Sequence, residues 1–279
     1  RGLPARAVRH LRCARRRNLH AGLTRFAGRP GGTLRSVLRE PLIHAGVGTS
    51  DFQLRGREVS RVEALSDGVF ALAMTLIVVS GQVPATFDEL LNVFRGFPAF
   101  ALCFATLLWF WMVHYTFFRR YGLHDNTTIF LNSCLLFLVI FYVYPLKFVF
   151  TLFIAGLTGL GAQAASSAIL TSQVGELFII YSGGFALVWL VFGLMHLHAY
   201  RQREALALNP VERLLTRAEI GRCLALIAVA MVSILIASFA SGGFVAFAGW
   251  IFGLIGPVEG IHGWSVRRRK ERLIARPTP

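Results

Sequence analysis

A cluster of ionisable and hydroxyl side chains stands directly before an apolar run: Arg61, Glu63, Ser66 and Asp67. The apolar run covers residues 69–79, and Thr75 is its single polar residue. Ser60 lies three residues before Glu63, the spacing of a capping box, so the pattern predicts a helix that begins here. Ionisable groups at the mouth of a membrane or inside it are costly, and those that are kept there tend to be functional. The same residue types are also typical of an ordinary first transmembrane helix with a polar end.

The composition favours a polytopic membrane protein. Hydrophobic residues make up 55% of the 279-residue sequence, and the mean hydropathy is +0.58, which is too apolar for a soluble domain of this size. The formal net charge is +15, and a basic protein often binds nucleic acid. Here nearly all the basic residues lie outside the apolar segments. We therefore expect the positive charge to follow membrane topology, and we predict no nucleic-acid partner.

Six apolar segments have the length of roughly 20 residues that spans the hydrocarbon core of a membrane. They lie at about 62–82, 97–118, 127–151, 175–199, 220–241 and 243–265. If the residues before the first segment are cytoplasmic, every basic residue except Arg95 and Lys147 falls on the cytoplasmic side, as the positive-inside rule requires. The sequence therefore predicts an all-α membrane protein with six transmembrane helices per subunit and both termini in the cytoplasm.

The same pattern divides the chain into three regions. Residues 1–57 are rich in Arg and lack a sustained helical or strand period, and we expect a basic, poorly ordered segment there. A tail at an anionic membrane, a transit peptide and sequence upstream of the true start are three alternatives for it. Residues 58–266 form the predicted transmembrane domain, and residues 267–279 form a basic cytoplasmic tail.

Two links between the predicted spans differ in length. Residues 152–174 form an uncharged outer link, which predicts either a loop or a short re-entrant or interfacial helix. Residues 240–243 form a very short link between the last two segments. A link of that length predicts an antiparallel helical hairpin.

The first helix carries a motif, RVEALSDG, at residues 61–68. It resembles the Arg-x-x-x-Phe-Ser-Asp signature of the endosomal and lysosomal potassium channel family, in its single-repeat bacterial branch. Leu65 stands where the family has Phe, which is a fair apolar substitution in a packed site. Four further residues are similar to features of the family's second and third helices: Trp111, His114, Asn132 and Pro145. The resemblance covers about residues 58–150.

The resemblance implies a homotetrameric potassium channel of a bacterial inner membrane, with a pore lined by the first helix of each subunit. It places the pore constriction at four positions on that helix: Leu72, Thr75, Leu76 and Val79. Their spacing does put them on one helix face, although a lipid-facing or packing stripe has the same spacing. The permeant ion would be K⁺, the other partners would be membrane lipids, and no cofactor is expected.

A second group of residues is expected to hold the pore helix in place. Membrane topology brings the start of the first helix level with the inner ends of the second and third, which predicts a polar network of six residues: Arg61, Ser66, Asp67, Trp111, His114 and Asn132. In this network His114 and Asn132 would be the partners of Asp67 and Ser66. An interfacial histidine with satisfied hydrogen bonds is an equally good interpretation of His114.

Selectivity in such a channel needs a device other than a carbonyl filter, because the sequence holds no TVGYG motif. A narrow apolar ring makes an ion shed water, and K⁺ gives up its hydration more cheaply than Na⁺, so we expect moderate selectivity. One alternative function is a proton-coupled carrier of ions or solutes in which Asp67 and His114 load and release protons. Another is a structural membrane subunit that requires a partner.

The sequence carries no signature of an enzyme, since it lacks a nucleophile motif, a phosphate-binding glycine loop and a zinc signature. Glu259 and His262 have the Glu-x-x-His spacing of carboxylate-bridged metal sites. A single copy of that motif rarely binds a metal, so we predict no metal site. The four cysteines stand far apart and predict neither a metal site nor a disulfide framework.

Overall fold

The computed structural model describes residues 52–56, 58–79, 84–158, 173–239 and 247–275. Within these residues the chain is helical and has no strand, which confirms the predicted all-α class. The helices are α1 (Arg61–Val79), α2 (Phe87–Arg95), α3 (Phe97–Tyr121), α4 (Asn126–Thr158), α5 (Val174–Arg201), α6 (Pro210–Phe239), α7 (Phe247–Trp250) and α8 (Ile255–Ile274). A 3₁₀ turn, Ile251–Leu254, lies between α7 and α8.

Three predictions lie wholly or largely outside the described residues. They concern the basic segment at residues 1–57, of which only 52–56 are described, the centre of the outer link at 152–174, and the hairpin link at 240–243. The boundary at residue 57 and the limits of the transmembrane domain and tail therefore stay predictions.

Four of the described helices are long and apolar enough to cross a membrane by length and composition: α3, α4, α5 and α6. All four coincide with predicted spans, and the chain is an integral membrane protein. Helix α1 coincides with the predicted first span, and α7 with α8 covers most of the predicted sixth. That α1 and the α7–α8 region also cross the membrane stays a prediction.

Helix α6 begins ten residues before the apolar segment that predicted it, because its first turns are polar and locally well capped. The side chain of Asn209 accepts a hydrogen bond from the backbone amide of Glu212 at 2.8 Å, and the Glu212 carboxylate accepts one from the backbone amide of Asn209 at 2.9 Å. Pro210 is the first residue of the helix, where its missing N–H costs nothing. A helix can therefore extend beyond the membrane-length apolar run that reveals it.

Helix α2 is a feature that the sequence analysis does not predict. It is nine residues long, and its residues are exposed. The side chain of Thr86 accepts a hydrogen bond from the Glu89 amide, and the Glu89 carboxylate accepts one from the Ala85 amide. The Thr-x-x-Glu spacing of a capping box was therefore a usable signal for this helix.

The core lies between α3, α4, α5 and α6 and is largely aromatic. Helix α5 packs along α6 and α4, while α1 lies against α3 and α4. Four fully buried rings meet near the centre: Phe110, Phe185, Trp189 and Phe192. Large apolar side chains such as Phe137 and Phe141 are exposed on the outside of α4, as the lipid-facing surface of a membrane protein requires. The fold thus fixes α1 along one side of a rigid bundle.

Candidate functional site

The start of α1 is held by a reciprocal pair of capping hydrogen bonds. The Glu63 amide donates to Ser60 Oγ at 3.2 Å, and the Ser60 amide donates to the Glu63 carboxylate at 2.8 Å. Glu63 is buried, although it lies at the charged end of the helix. The capping box predicted from the Ser60 and Glu63 spacing is confirmed.

Helix α1 has a buried face that packs against its own subunit. Four residues at helical spacing form this face: Ser66, Phe70, Ala73 and Ile77. Each of them is almost completely removed from solvent. Because side chains three and four residues apart share one side of a helix, this face sets the rotation of α1 in the bundle.

The residues predicted to form the pore constriction lie on a different side of α1. Leu72 is 52% exposed and Thr75 is also exposed, whereas Leu76 is half-buried and packs against the edge of the core. The hydroxyl of Thr75 donates to the carbonyl of Ala71 at 2.8 Å. Val79 is the last residue of α1, and the structure describes its backbone but not its side chain. The Leu72 side of α1 is therefore open to lipid or to another subunit.

A directed chain of hydrogen bonds joins α3, α4 and α1. The side-chain nitrogen of Asn132, Nδ2, donates to Ser66 Oγ at 3.0 Å, and Asn132 Oδ1 accepts from His114 Nε2 at 2.9 Å. Ser66 Oγ in turn donates to the Val62 carbonyl at 2.7 Å. Since Asn132 Oδ1 is an acceptor, this arrangement requires the proton of His114 on Nε2. Ser66, His114 and Asn132 are all buried, so the chain is a fixed structural tie between the three helices.

Asp67 forms a separate contact at the surface of the subunit. The indole nitrogen of Trp111 donates to Asp67 Oδ1 at 2.8 Å, and the Trp111 ring stacks on Tyr115. The expected contact of Asp67 with His114 is not formed, because Ser66 and Asp67 are consecutive on a helix and only Ser66 points into the cleft between α3 and α4. Asn132 therefore takes the place next to His114.

Arg61 lies apart from both groups. Its side chain is exposed, and within the described part of the chain it makes no hydrogen bond or ion pair. The structure thus brings five of the six predicted network residues into two contacts, one buried and one exposed, and leaves Arg61 outside them.

Lys147 is a residue near α1 that the sequence analysis did not select. Its Nζ donates to the carbonyl of Ile77 at 2.9 Å, in the last turn of α1. The sequence signal was present, since Lys147 is the single charged residue of the apolar segment that forms α4. What the sequence did not reveal was the backbone carbonyl that it contacts.

A second unpredicted feature is the short segment before α1, residues 52–56, which packs onto the ends of α3 and α6. The Arg55 guanidinium binds both carboxylate oxygens of Glu212, at 3.0 and 2.9 Å, and its Nε donates to the Leu206 carbonyl. The backbone amide of Gln53 donates to the same carboxylate at 2.8 Å. Phe52 is buried against the ring of Tyr121, with centroids 5.5 Å apart. The chain therefore enters α1 from an anchored position.

Two glycines permit the close approach of this segment to the turn after α3. Gly122 has a φ of 57°, and its amide donates to the Phe118 carbonyl at 2.9 Å, the left-handed ending that glycine favours. The Gly56 amide donates to the Arg119 carbonyl at 3.2 Å. A Cβ on Gly56 would lie 2.4 Å from the Phe118 carbonyl oxygen, so a larger residue would push the segment away.

Known proteins resemble this chain over the residues described above. A family model described as endosomal/lysosomal potassium channel TMEM175 matches residues 61–142, the range that holds α1, the Trp111 and His114 positions and Asn132. A protein from Marivirga tractuosa named "Potassium channel" is 35% identical over 235 residues, covering 80% of this chain and 94% of the relative. A potassium channel from Chamaesiphon minutus is 30% identical over 158 residues, covering 54% of this chain and 70% of the relative.

A solved structure agrees with these relatives. The crystal structure of a variant of the potassium channel MtTMEM175, in complex with a Nanobody-MBP fusion protein, superposes with a TM-score of 0.69 at 32% sequence identity. The match covers 79% of this chain and 99% of that one. Sequence identity, coverage and fold thus agree, and this chain belongs to the TMEM175 family of potassium channels.

Proposed function

We propose that this chain is the subunit of a potassium-selective channel that conducts K⁺ passively across the membrane. The observation that carries the proposal is the 35% identity to a potassium channel over 94% of that relative's length. The described fold supports it, because long apolar helices surround a rigid core and leave one face of α1 open. The family is one of channels, and we propose no catalytic reaction for this chain.

The conduction path in this proposal is formed by α1 from four copies of the chain. Leu72, Thr75, Leu76 and Val79 would face a central axis in a homotetramer, the closed symmetry that such assemblies commonly have. The exposure of Leu72 and Thr75 in a single subunit supports this assignment, because a pore-lining side chain must point away from its own bundle. Assembly of four subunits around the axis would then supply the contacts that one subunit lacks.

Selection in this pore would come from partial dehydration. Rings of Leu72 and Leu76 would form a narrow apolar passage, and an ion that enters must give up water. K⁺ holds its water less strongly than Na⁺, so the passage favours K⁺. The hydroxyl of Thr75 would lie beside the path, where it can replace part of the lost hydration. Dewetting of the same rings would close the pore.

The buried network has a supporting role in the proposal. Ser66, Asn132 and His114 would hold α1 at a fixed rotation, while Trp111 and Asp67 would fix its inner end at the surface. Their hydrogen bonds support this assignment, since they connect α1 to α3 and α4 without facing the Leu72 side. Arg61 lies outside these contacts, and its supporting role stays a prediction.

Topology follows from the charge distribution. We place the channel in a bacterial inner membrane with both termini in the cytoplasm, because nearly all basic residues then lie on the cytoplasmic side. Membrane lipids would be its other partners. The comparisons give no support to the carrier hypothesis, since both relatives and the solved structure are named potassium channels.

The proposal is tested by ion flux with the purified protein in liposomes. A K⁺ gradient is imposed, a proton ionophore relieves the build-up of charge, and the same measurement is made with Na⁺. We expect electrogenic K⁺ flux that needs no proton gradient and exceeds Na⁺ flux. Flux that occurs only in exchange for protons would contradict the channel and favour the carrier, and the absence of flux would contradict both.

A variant separates the two mechanisms further. Asp67→Asn keeps an acceptor for the Trp111 indole but cannot bind and release a proton. A channel with this substitution is expected to retain K⁺ flux, whereas a carrier that loads protons on Asp67 would lose transport. Empty liposomes and liposomes with heat-denatured protein serve as the controls for leakage.

A further inference from the structure

Lys147 is the single charged side chain between Asn126 and Thr158, the bounds of α4. A charged residue within a membrane-spanning helix is costly and usually serves a function. Lys147 lies two residues after Pro145, whose ring removes one backbone hydrogen bond from the interior of α4. The residue is therefore placed where the helix already departs from a regular hydrogen-bonding pattern.

Lys147 donates a hydrogen bond to a backbone group of α1. Its Nζ donates to the Ile77 carbonyl at 2.9 Å, and this contact is partly buried. Ile77 lies in the last turn of α1, where backbone carbonyls carry the negative end of the helix dipole. An ammonium group is a favourable partner at this position. The contact joins two helices whose sequence positions differ by 70 residues.

Side chains of α4 donate hydrogen bonds to α1 at two well-separated points. Asn132 donates to Ser66 near the start of α1, and Lys147 donates to Ile77 near its end. At 1.5 Å per residue, Ser66 and Ile77 are roughly 16 Å apart along the helix axis. Leu72 lies between them. Helix α4 therefore restrains α1 on both sides of Leu72, the first residue of the predicted constriction.

The outer contact acts on the turn that carries the second predicted ring. Leu76 directly precedes Ile77, so the position of the Ile77 carbonyl determines where the backbone of Leu76 lies. We propose that Lys147 is a positioning residue for ion selectivity, which holds the outer half of the constriction through its hydrogen bond to Ile77. The inference rests on the proposed potassium channel function and extends it to a residue outside the pore face.

The test measures the ratio of K⁺ to Na⁺ permeability from reversal potentials under bi-ionic conditions. Lys147→Met keeps the length of the side chain but removes the charge and the donor. We expect the permeability ratio to fall by about two- to tenfold, which corresponds to the net free energy that one hydrogen bond contributes. Lys147→Arg keeps a charged donor and is expected to retain most of the selectivity. Phe141→Leu, on the exposed side of α4, is the matched control and should leave the ratio unchanged.

A second perturbation leaves Lys147 in place, in case Lys147→Met does not assemble. Replacing the amide between Ile77 and Val78 by an ester weakens the Ile77 carbonyl as an acceptor. The permeability ratio is expected to fall in the same direction. Because the ratio does not depend on the amount of folded protein, a general loss of stability would not reproduce this result.

Two outcomes would overturn the inference. One is a permeability ratio that stays at the wild-type value in both Lys147→Met and the ester variant. The other is a rise in current with no change in ratio, which would indicate that Lys147 acts through its electric field. Either outcome leaves wild-type K⁺ flux intact, so it is distinct from a failure of the proposed channel function, in which the wild-type protein would conduct no K⁺.

Discussion

The buried face of α1 is held by a hydrogen bond from Asn132 of α4, which His114 of α3 holds in turn, whereas about half of Leu72 on the opposite side remains exposed. Both faces belong to one helix of 19 residues. The difference shows how the chain divides two tasks. Contacts within the subunit fix the rotation of α1, and the side chains left open are the ones that the proposed pore would use.

The largest expected effect comes from breaking the buried face. Asn132→Leu removes the acceptor for the buried His114 Nε2, and a buried polar group left without a partner costs about 1–3 kcal/mol. It also removes one of the two hydrogen bonds of the Ser66 hydroxyl, which keeps its bond to the Val62 carbonyl. We expect a clear fall in the thermal unfolding midpoint of the detergent-solubilised protein. Phe137→Leu, on the exposed side of the same helix, should leave the midpoint unchanged. An unaltered midpoint in Asn132→Leu would show that the hydrogen-bonded chain does not fix α1.

A somewhat smaller effect is expected at the entry into α1. Arg55→Gln leaves the carboxylate of Glu212, whose side chain is 1% exposed, without its cation. Breaking a fully buried pair costs roughly 3–5 kcal/mol, and because Arg55 is partly exposed we expect about 2 kcal/mol.

The matched control for Arg55 is Arg213→Gln. Arg213 pairs with Glu204, which is 71% exposed, and a surface pair of this kind contributes about 0–1 kcal/mol. Chemical denaturation of both variants gives the comparison. Equal losses in the two variants would mean that the segment at residues 52–56 does not anchor α1.

The smallest effect is expected from acid, at a contact away from α1. Asp125 accepts hydrogen bonds from Thr128 at 2.6 Å and from His198 at 2.8 Å, in the short link before α4. Burial raises the pKa of Asp125, but these hydrogen bonds outweigh it and hold the pKa below its ordinary value of 3.8. A carboxyl group whose pKa is lower in the folded protein than in the unfolded one stabilises the fold at pH values above its ordinary pKa. This stabilisation is lost as the pH falls through the lowered pKa.

The measurement for Asp125 is the unfolding midpoint at neutral pH and in acid below pH 3.8. Acid should lower the midpoint of the wild-type protein slightly more than that of Asp125→Asn, which has no carboxylate to protonate. Identical acid sensitivity in the two proteins would assign the acid response to other groups.

Local features of α1 could be predicted from the sequence, while its neighbours could be predicted only in part. Ser60 and Glu63 are three residues apart, so their capping hydrogen bonds follow from spacing alone. The Ser66 and Asn132 pair spans 66 residues, and its prediction needed membrane topology together with the family resemblance. Trp111 as the partner of Asp67 was not predicted, because the sequence does not give the rotation of α3 relative to α1.

The remaining features were missed for physical reasons. Residues 52–56 have the same basic composition as the preceding sequence, and only their contacts with Glu212 and Tyr121 distinguish them. Lys147 stands out in the sequence as a lone charge in an apolar segment, but the group that it binds on α1 is a backbone carbonyl, which is present at every residue and leaves no signal. Helix α2 has a capping box, but it lies in a link too short and too polar to resemble a membrane span.

The central claim is that the Leu72 side of α1 lines the K⁺ path, and a pair of substitutions tests it most directly. Leu72 and Val78 are both exposed apolar residues of α1, but they lie roughly 120° apart around the helix. Neither Leu72→Ala nor Val78→Ala should change stability by more than about 0.5 kcal/mol. In bi-ionic recordings Leu72→Ala is predicted to raise conductance and lower the K⁺ to Na⁺ permeability ratio, whereas Val78→Ala leaves both unchanged. Wild-type conductance and selectivity in Leu72→Ala, or equal changes in the two variants, would contradict the assignment.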